Sequence, residues 1–176
     1  MDLTWLMDQP GVTVIGIEGV IEAIQAFQSS SGLKLTQNGD QFESANGKLK
    51  ILNRNLFHAD AFEENSASCV WDRAALVAVS PKDREKYVET MKRILDTNKR
   101  FNYLLNVVEY DSEKIEGPPH LVTESEVEHL FGNFCSIRKL SEKVIPPTST
   151  EYFIEKPFIE ANIDCTEVVY LLTNKS

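Results

Sequence analysis

Cysteine and histidine are scarce in this 176-residue sequence, with three of each. Cys69, Cys135 and Cys165 are odd in number and far apart, which argues against a disulfide framework and against zinc-ligand spacing. His120 and His129 are isolated too, so no metal site is predicted. We therefore expect buried thiols in a reducing compartment, with the cytoplasm as the default location.

Long apolar runs and an excess of basic residues are also lacking. No run approaches the roughly 20 residues that cross a bilayer. The first six residues, MDLTWL, show no basic region or cleavage-like site of a secretory signal. The net charge is −9, whereas nucleic-acid-binding proteins usually present a basic face. We expect a monomer that has neither nucleic acid nor a membrane as a partner.

Several catalytic and binding motifs are absent as well. There is no Gly-x-Ser-x-Gly nucleophile motif and no suggestive Cys/His pair. The Gly-rich phosphate loop of dinucleotide-binding proteins is missing too, because Gly11 is isolated and Gly16 lies inside a strand pattern. These absences count against a serine hydrolase of that type and against a plain nicotinamide-dependent dehydrogenase.

The segment from residue 68 to 81 is the most informative part of the chain. An apolar run at 69–71 predicts a buried strand, and Asp72 and Arg73 interrupt it with opposite charges. Ser80 and Pro81 then predict an N-cap and first turn of a helix. A charged pair at the end of a buried strand is costly unless it is solvated, paired or functional. Because ligands bind at the carboxyl ends of strands in open α/β sheets, Asp72 and Arg73 are functional candidates; a structural salt bridge is the alternative.

The order of the elements predicts an α/β fold with a doubly wound, Rossmann-like sheet. The β-branched run at 12–17 predicts a strand buried on both faces, and a helix follows it as far as Gly32. Residues 34–46 predict a loop or a short edge hairpin, and 49–52 and 101–109 predict strands. Strands at 134–140 and 166–172, joined by an irregular connection, predict a C-terminal antiparallel hairpin. This ending favours the methyltransferase variant of the fold over the dehydrogenase variant.

Polar residues at two strand ends are candidates for cofactor contacts. Glu18 ends the first predicted strand, and a carboxylate at such a position can accept hydrogen bonds from a ribose diol. A solvent-exposed glutamate explains the position equally well. Asn55 and Leu56 offer one polar contact and one apolar face for an adenine ring, although an ordinary polar strand end is as good an interpretation.

The segment WDRAALVAVSPKDR, residues 71–84, closely resembles the signature of thiopurine S-methyltransferases. Further matches follow in family order over nearly the whole chain, at 4–8, 14–18, 56–57, 103–105, 110–111, 117–119, 128–132 and 170–173. One such motif alone is weak evidence for the resemblance, but an ordered series of motifs is strong evidence. The resemblance implies a class I methyltransferase domain spanning residues 1–176, with S-adenosyl-L-methionine as cofactor and aromatic or heterocyclic thiols as substrates.

The resemblance also implies roles for individual residues. Arg73 matches an arginine near the acceptor sulfur, where its charge would favour the thiolate. Asn55 departs from the serine that the family often has at its position. The implied cofactor contacts are Glu18, Asn55, Leu56 and Arg73, and the implied substrate contacts are Arg73, Pro118 and Pro119, with Arg73 as the catalytic residue.

Members of this family normally have a helix, a first strand and a Gly-containing cofactor loop before the matched region. We therefore expect a partial domain without that strand and loop, in which the strands beside the gap have unpaired edges. Two functions follow. The chain is a thiopurine-type S-methyltransferase, or it is a truncated, non-catalytic methyltransferase-like module that binds a partner.

Overall fold

A computed structural model describes residues 2–58, 61–111, 113–149 and 156–175. The chain forms two compact units, Met1–Glu63 and Glu64–Ser176, and each unit has a four-stranded sheet of its own. No helix in the described ranges is long and apolar enough to cross a bilayer. The single domain over residues 1–176 stays a prediction.

The N-terminal unit alternates helices and strands before ending in a hairpin and a return strand. Its sheet has the order β1-β4-β3-β2, in which β1 is parallel to β4 and the other pairs are antiparallel. The edge hairpin predicted within 34–46 is therefore confirmed as β2 and β3. The elements are α1 (Asp2–Asp8), β1 (Val14–Ile17), α2 (Ile21–Ser31), β2 (Leu35–Asn38), β3 (Gln41–Ser44) and β4 (Leu49–Leu52).

The core of this unit lies between the helices and one face of the sheet. Met7 of α1, Ile24 of α2 and Ile51 of β4 are among its buried members. The prediction that the first strand is buried on both faces was wrong, because Ile15 is 50% exposed. The physical reason is position: in the described chain β1 pairs only with β4, so it is an edge strand.

The C-terminal unit contains the remaining elements. Its sheet has the order β5-β6-β8-β7; β5 and β6 are parallel, and β8 is antiparallel to both β6 and β7. The predicted C-terminal antiparallel hairpin is thus confirmed. The elements are β5 (Cys69–Arg73), α3 (Ala75–Ala78), α4 (Arg84–Ile94), β6 (Asn102–Glu109), α5 (Glu124–Phe131), β7 (Cys135–Ile145), α6 (Lys156–Ala161) and β8 (Cys165–Asn174).

The connection between β7 and β8 departs from the prediction of an irregular segment. Residues 150–155 of that connection lie outside the described chain, but α6 follows them. Phe158 of α6 is completely buried and packs with Ile145, Ile163 and Cys165. A helix of six residues is shorter than two turns, so its apolar periodicity is not visible in the sequence.

The α/β class is confirmed, and so is the expectation of unpaired strand edges. Within the described residues no strand precedes β1, and β1 and β5 each pair with a single neighbour. The strands therefore form two separate four-stranded sheets instead of one continuous sheet.

Candidate functional site

The burial of the residues in β5 is the opposite of what the sequence predicts. It is an edge strand, and its apolar residue Trp71 is 44% exposed, whereas Asp72 is only 2% exposed. The most buried side chain of the strand is therefore its carboxylate. Such a group is stable in the interior only when hydrogen bonds replace its lost water.

Asp72 obtains those hydrogen bonds from three elements. The hydroxyls of Tyr103 on β6 and Tyr87 on α4 donate to its Oδ2 atom at 2.6 and 2.8 Å. The backbone N–H of Leu76, in α3, donates to its Oδ1 atom at 3.1 Å. Burial raises the pKa of Asp72, and the hydrogen bonds from the two tyrosines and from the N–H groups of Leu76 and Ala75 oppose that rise. The tight turn at the end of β5 is thus built around this carboxylate.

The two tyrosine hydroxyls remain protonated donors in this arrangement. Burial first, and the charge of Asp72 second, hold the pKa of Tyr87 and of Tyr103 well above the usual value. This role of the two tyrosines was not predicted from the sequence. The available signal was indirect: Tyr87 falls on the buried stripe of a helix and Tyr103 in a strand, and a buried tyrosine hydroxyl usually finds a partner.

Arg73 is the last residue of β5 and is half-buried. Because successive side chains of a strand point to opposite faces, it lies on the face opposite Asp72. Ala74 follows with φ 64° and ψ 7°, a left-handed conformation that turns the chain sharply into α3. Ser80 occupies the predicted N-cap position, but its side chain makes no capping hydrogen bond; Pro81 occupies the first position of a 3-10 turn that leads into α4.

The loop after β6 carries the two predicted substrate-contact prolines, and Tyr110 holds it in place. The Tyr110 hydroxyl donates to the carbonyl oxygen of Pro119 at 2.7 Å and accepts the N–H of Leu121 at 3.0 Å. The Tyr110 ring meets Phe158 of α6 edge-on, with 5.0 Å between ring centroids. Pro119 is buried by this arrangement, whereas Pro118 is exposed.

A backbone hydrogen bond connects this loop to the turn that follows Arg73. The N–H of His120 donates to the carbonyl oxygen of Val77, in α3, at 2.7 Å. Gly117 permits the path of the loop, because its φ is 89° and a Cβ there would lie 2.5 Å from Nδ1 of His120. The structure therefore brings the predicted acceptor-side residues, Arg73 and the proline pair, to one end of the C-terminal unit.

Arg84 is a second buried ionic group near this loop. It is 2% exposed, and its Nη1 atom lies 2.5 Å from Oε1 of Glu126. Its Nε and Nη2 atoms are buried without a hydrogen-bond partner within the described chain. Thr123 is the N-cap of α5, and its hydroxyl accepts the N–H of Glu126 at 3.3 Å. The Glu126 carboxylate pairs with Arg84, an interaction that the sequence analysis missed.

In the N-terminal unit, Glu18 lies directly after β1 and is half-buried. Its carboxylate Oε1 accepts the N–H of Val20 at 2.8 Å, and its carbonyl oxygen accepts Nδ2 of Asn53 at 2.8 Å. Among the described residues the second carboxylate oxygen has no hydrogen-bond partner. An oxygen of this kind at the end of a parallel strand fits a ribose hydroxyl. Glu18 also borders an apolar groove of about 230 Å³.

Asn55 and Leu56 follow β4. The Oδ1 atom of Asn55 accepts the N–H of Phe57 at 3.0 Å, which leaves its amide NH2 group as a donor at an exposed position. Leu56 is half-buried. Because β1 and β4 are parallel, their carboxyl ends lie at the same edge of the sheet. The structure therefore places Glu18 at the sheet edge that Asn55 and Leu56 follow.

Residues 1–155 match the family model described as Thiopurine S-methyltransferase (TPMT). The chain belongs to the thiopurine S-methyltransferase family. A probable thiopurine S-methyltransferase of Danio rerio is 32% identical, with 100% of this chain and 75% of that protein covered. The thiopurine S-methyltransferase of Canis lupus familiaris is 33% identical, with 90% and 69% covered.

The fold agrees with this membership. A solved SAM-dependent methyltransferase of Methanosarcina mazei superposes with a TM-score of 0.63 at 17% identity, over 98% of this chain and 86% of that one. At this identity the likeness shows the fold alone. It confirms the class I methyltransferase fold that the sequence predicts.

Proposed function

We propose that this chain is an S-adenosyl-L-methionine-dependent S-methyltransferase that acts on aromatic or heterocyclic thiols. The observation that carries the proposal is the family match together with the position of Arg73. This arginine ends β5 at a tight turn, and the turn is hydrogen-bonded to the loop of Pro118 and Pro119. A cation and an apolar wall in the same site would suit an aromatic thiolate.

Three of the proposed cofactor contacts, Glu18, Asn55 and Leu56, belong to the N-terminal unit. Glu18 would accept hydrogen bonds from the ribose hydroxyls with its unpartnered oxygen, and Asn55 would donate to the adenine ring with its free amide. Leu56 would cover one face of that ring. We also assign Arg73 to the cofactor contacts. S-Adenosyl-L-methionine supplies a methyl group that its sulfonium centre has already activated.

The acceptor side requires little acid–base chemistry, because an aromatic thiol is substantially ionised near neutral pH. Arg73 would stabilise the thiolate by charge and by hydrogen bonding. The exposed ring of Pro118 would pack against the aromatic ring and exclude water, while the buried Pro119 anchors the loop. Alignment of the acceptor sulfur with the methyl group then accounts for most of the rate enhancement.

Calorimetric titration with S-adenosylhomocysteine tests this proposal against the alternative of a non-catalytic binding module. The enzyme is expected to bind this product, and Glu18→Ala is expected to weaken binding by about 1.5–3 kcal/mol per charged hydrogen bond lost. Glu22→Ala, at an exposed glutamate in the first turn of α2, is the matched control and should leave the affinity unchanged. A folded parent chain that shows no binding heat would contradict the enzyme proposal.

We further propose that the enzyme is a cytoplasmic monomer that methylates foreign thiols. The three cysteines are unpaired, which suits a reducing compartment. Light scattering coupled to size exclusion is expected to give one species near 19.9 kDa. A dimer mass at micromolar concentration would reject the monomer.

A further inference from the structure

Asp72 contacts the turn that carries Arg73, and the main chain of that turn is constrained from both ends. On one side Arg73 is held in the β5–β6 ladder opposite Asn106. On the other side Leu76 is held by the hydrogen bond that its N–H donates to Oδ1 of Asp72. Between them Ala74 has φ 64°, a conformation that alanine rarely adopts because its Cβ is crowded there. Such a residue persists only when its surroundings fix it.

The carboxylate itself is also held at a second point. The hydroxyls of Tyr87 and Tyr103 hold Oδ2 from α4 and β6, while Oδ1 is left for the turn. Oδ2 therefore binds the carboxylate to the core, and Oδ1 binds the turn to the carboxylate. These separate hydrogen bonds give the carboxylate of Asp72 a more specific role than a general contribution to packing.

We propose that Asp72 is a positioning residue for the acceptor: its carboxylate fixes the left-handed turn at Ala74 and thereby the orientation of Arg73. The inference rests on the proposed role of Arg73 in acceptor binding. It assigns no contact between Asp72 and the substrate, since Asp72 is 2% exposed. Its effect passes through the backbone of residues 73–76.

The test compares three variants of the full chain. Asp72→Ala removes all of these hydrogen bonds. Asp72→Asn keeps an acceptor oxygen for the N–H of Leu76, and both tyrosine hydroxyls can turn to accept from its amide. Val168→Ala, at a buried residue of β8 that is not adjacent to β5 in the sheet, is the control for a loss of packing. Should Asp72→Ala not fold, Asp72→Ser takes its place, because its hydroxyl is too short to reach Leu76.

Steady-state kinetics with thiophenol and S-adenosyl-L-methionine give the first readout. Asp72→Ala is expected to lower kcat/KM for the thiol by about tenfold to a hundredfold, as displacements of about 1 Å do. Asp72→Asn should restore most of the lost kcat/KM, because it keeps an acceptor oxygen for the N–H of Leu76. Equal kinetics for Asp72→Ala and Val168→Ala would overturn the proposal.

A second readout does not depend on turnover. The Nε–H signal of Arg73 in a nitrogen-15 NMR spectrum, assigned by its loss in Arg73→Lys, is expected to shift and broaden in Asp72→Ala. It should be unchanged in Asp72→Asn and Val168→Ala. If the parent methylates no thiol, the proposed function fails. The Arg73 signal alone then decides whether Asp72 positions Arg73. An Arg73 signal that stays in place in Asp72→Ala would overturn the positioning role.

Discussion

The hydroxyl of Tyr110 binds the proline loop twice, donating to the carbonyl oxygen of Pro119 at 2.7 Å and accepting the N–H of Leu121 at 3.0 Å. Tyr110→Phe removes both hydrogen bonds and leaves a partly buried N–H and carbonyl without their partner. We expect the free energy of unfolding in urea to fall by about 1–3 kcal/mol. We also expect a higher KM for the thiol with unchanged affinity for S-adenosylhomocysteine.

Tyr170→Phe is a matched control for that change. The Tyr170 hydroxyl is buried without a hydrogen-bond partner in the described parts of the chain. Its removal should therefore leave stability unchanged or raise it. Equal losses in the two variants would show that the hydrogen bonds of Tyr110 do not secure the loop.

Glycine suits the conformation of residue 74 better than alanine does. Ala74 has φ 64°, where a Cβ is strained, so Ala74→Gly relieves strain in the folded state. The greater freedom of glycine in the unfolded chain offsets part of that gain. We predict a net increase of about 0.5–1 kcal/mol in the free energy of unfolding, measured by urea denaturation. A decrease would show that the turn does not require this conformation.

The charge of Arg73 should set the pH dependence of turnover. A cation beside the acceptor lowers the pKa of the bound thiol, so in Arg73→Gln the acid limb of the kcat profile should move to higher pH by about one unit. Arg100→Gln, at an exposed arginine near the amino end of β6, removes the same charge elsewhere in the unit and should leave the profile in place. An unshifted acid limb in Arg73→Gln would show that Arg73 has only a structural role.

The raised pKa of Asp72 makes a prediction about stability and pH. Burial raises this pKa, so between the unfolded value of about 4 and the raised folded value the folded state binds more protons. The stability that Asp72 contributes is therefore present below pH 4 and is lost as the pH rises through the folded pKa. Asp72→Asn has no carboxyl group to titrate at this position. Its free energy of unfolding should therefore rise relative to that of the parent as the pH rises from 4. A shift in favour of the parent would mean that the hydrogen bonds outweigh burial.

The elements of this fold could be predicted from the sequence far better than their burial. The strands over 49–52 and 101–109 and the helix that ends at Gly32 have clear periodicity, and the structure confirms them. The strand at 12–17 and β5 look like buried strands because they are short and apolar. Ile15 and Trp71 are exposed because both strands lie at sheet edges, and edge position depends on which strands are available to pair.

The acceptor side of the site shows a similar limit. The sequence singled out Asp72 and Arg73 by their charge, yet it could not show that Asp72 is bonded to Tyr87 and Tyr103. These tyrosines are 15 and 31 residues away along the chain, so only tertiary structure brings them to the carboxylate. The role of Tyr110 depends in the same way on the path of a loop that no periodicity describes.

Transfer of a methyl group to an aromatic thiol is best tested by detection of the methylated product. The purified chain is incubated with thiophenol and S-adenosyl-L-methionine that carries a carbon-13 methyl group, and both products are quantified by mass spectrometry. We expect a labelled aryl methyl thioether, formed in equal amount with S-adenosylhomocysteine and reduced in Arg73→Gln but not in Arg100→Gln. A folded chain that binds S-adenosylhomocysteine but forms no labelled thioether would show that it does not methylate aromatic thiols.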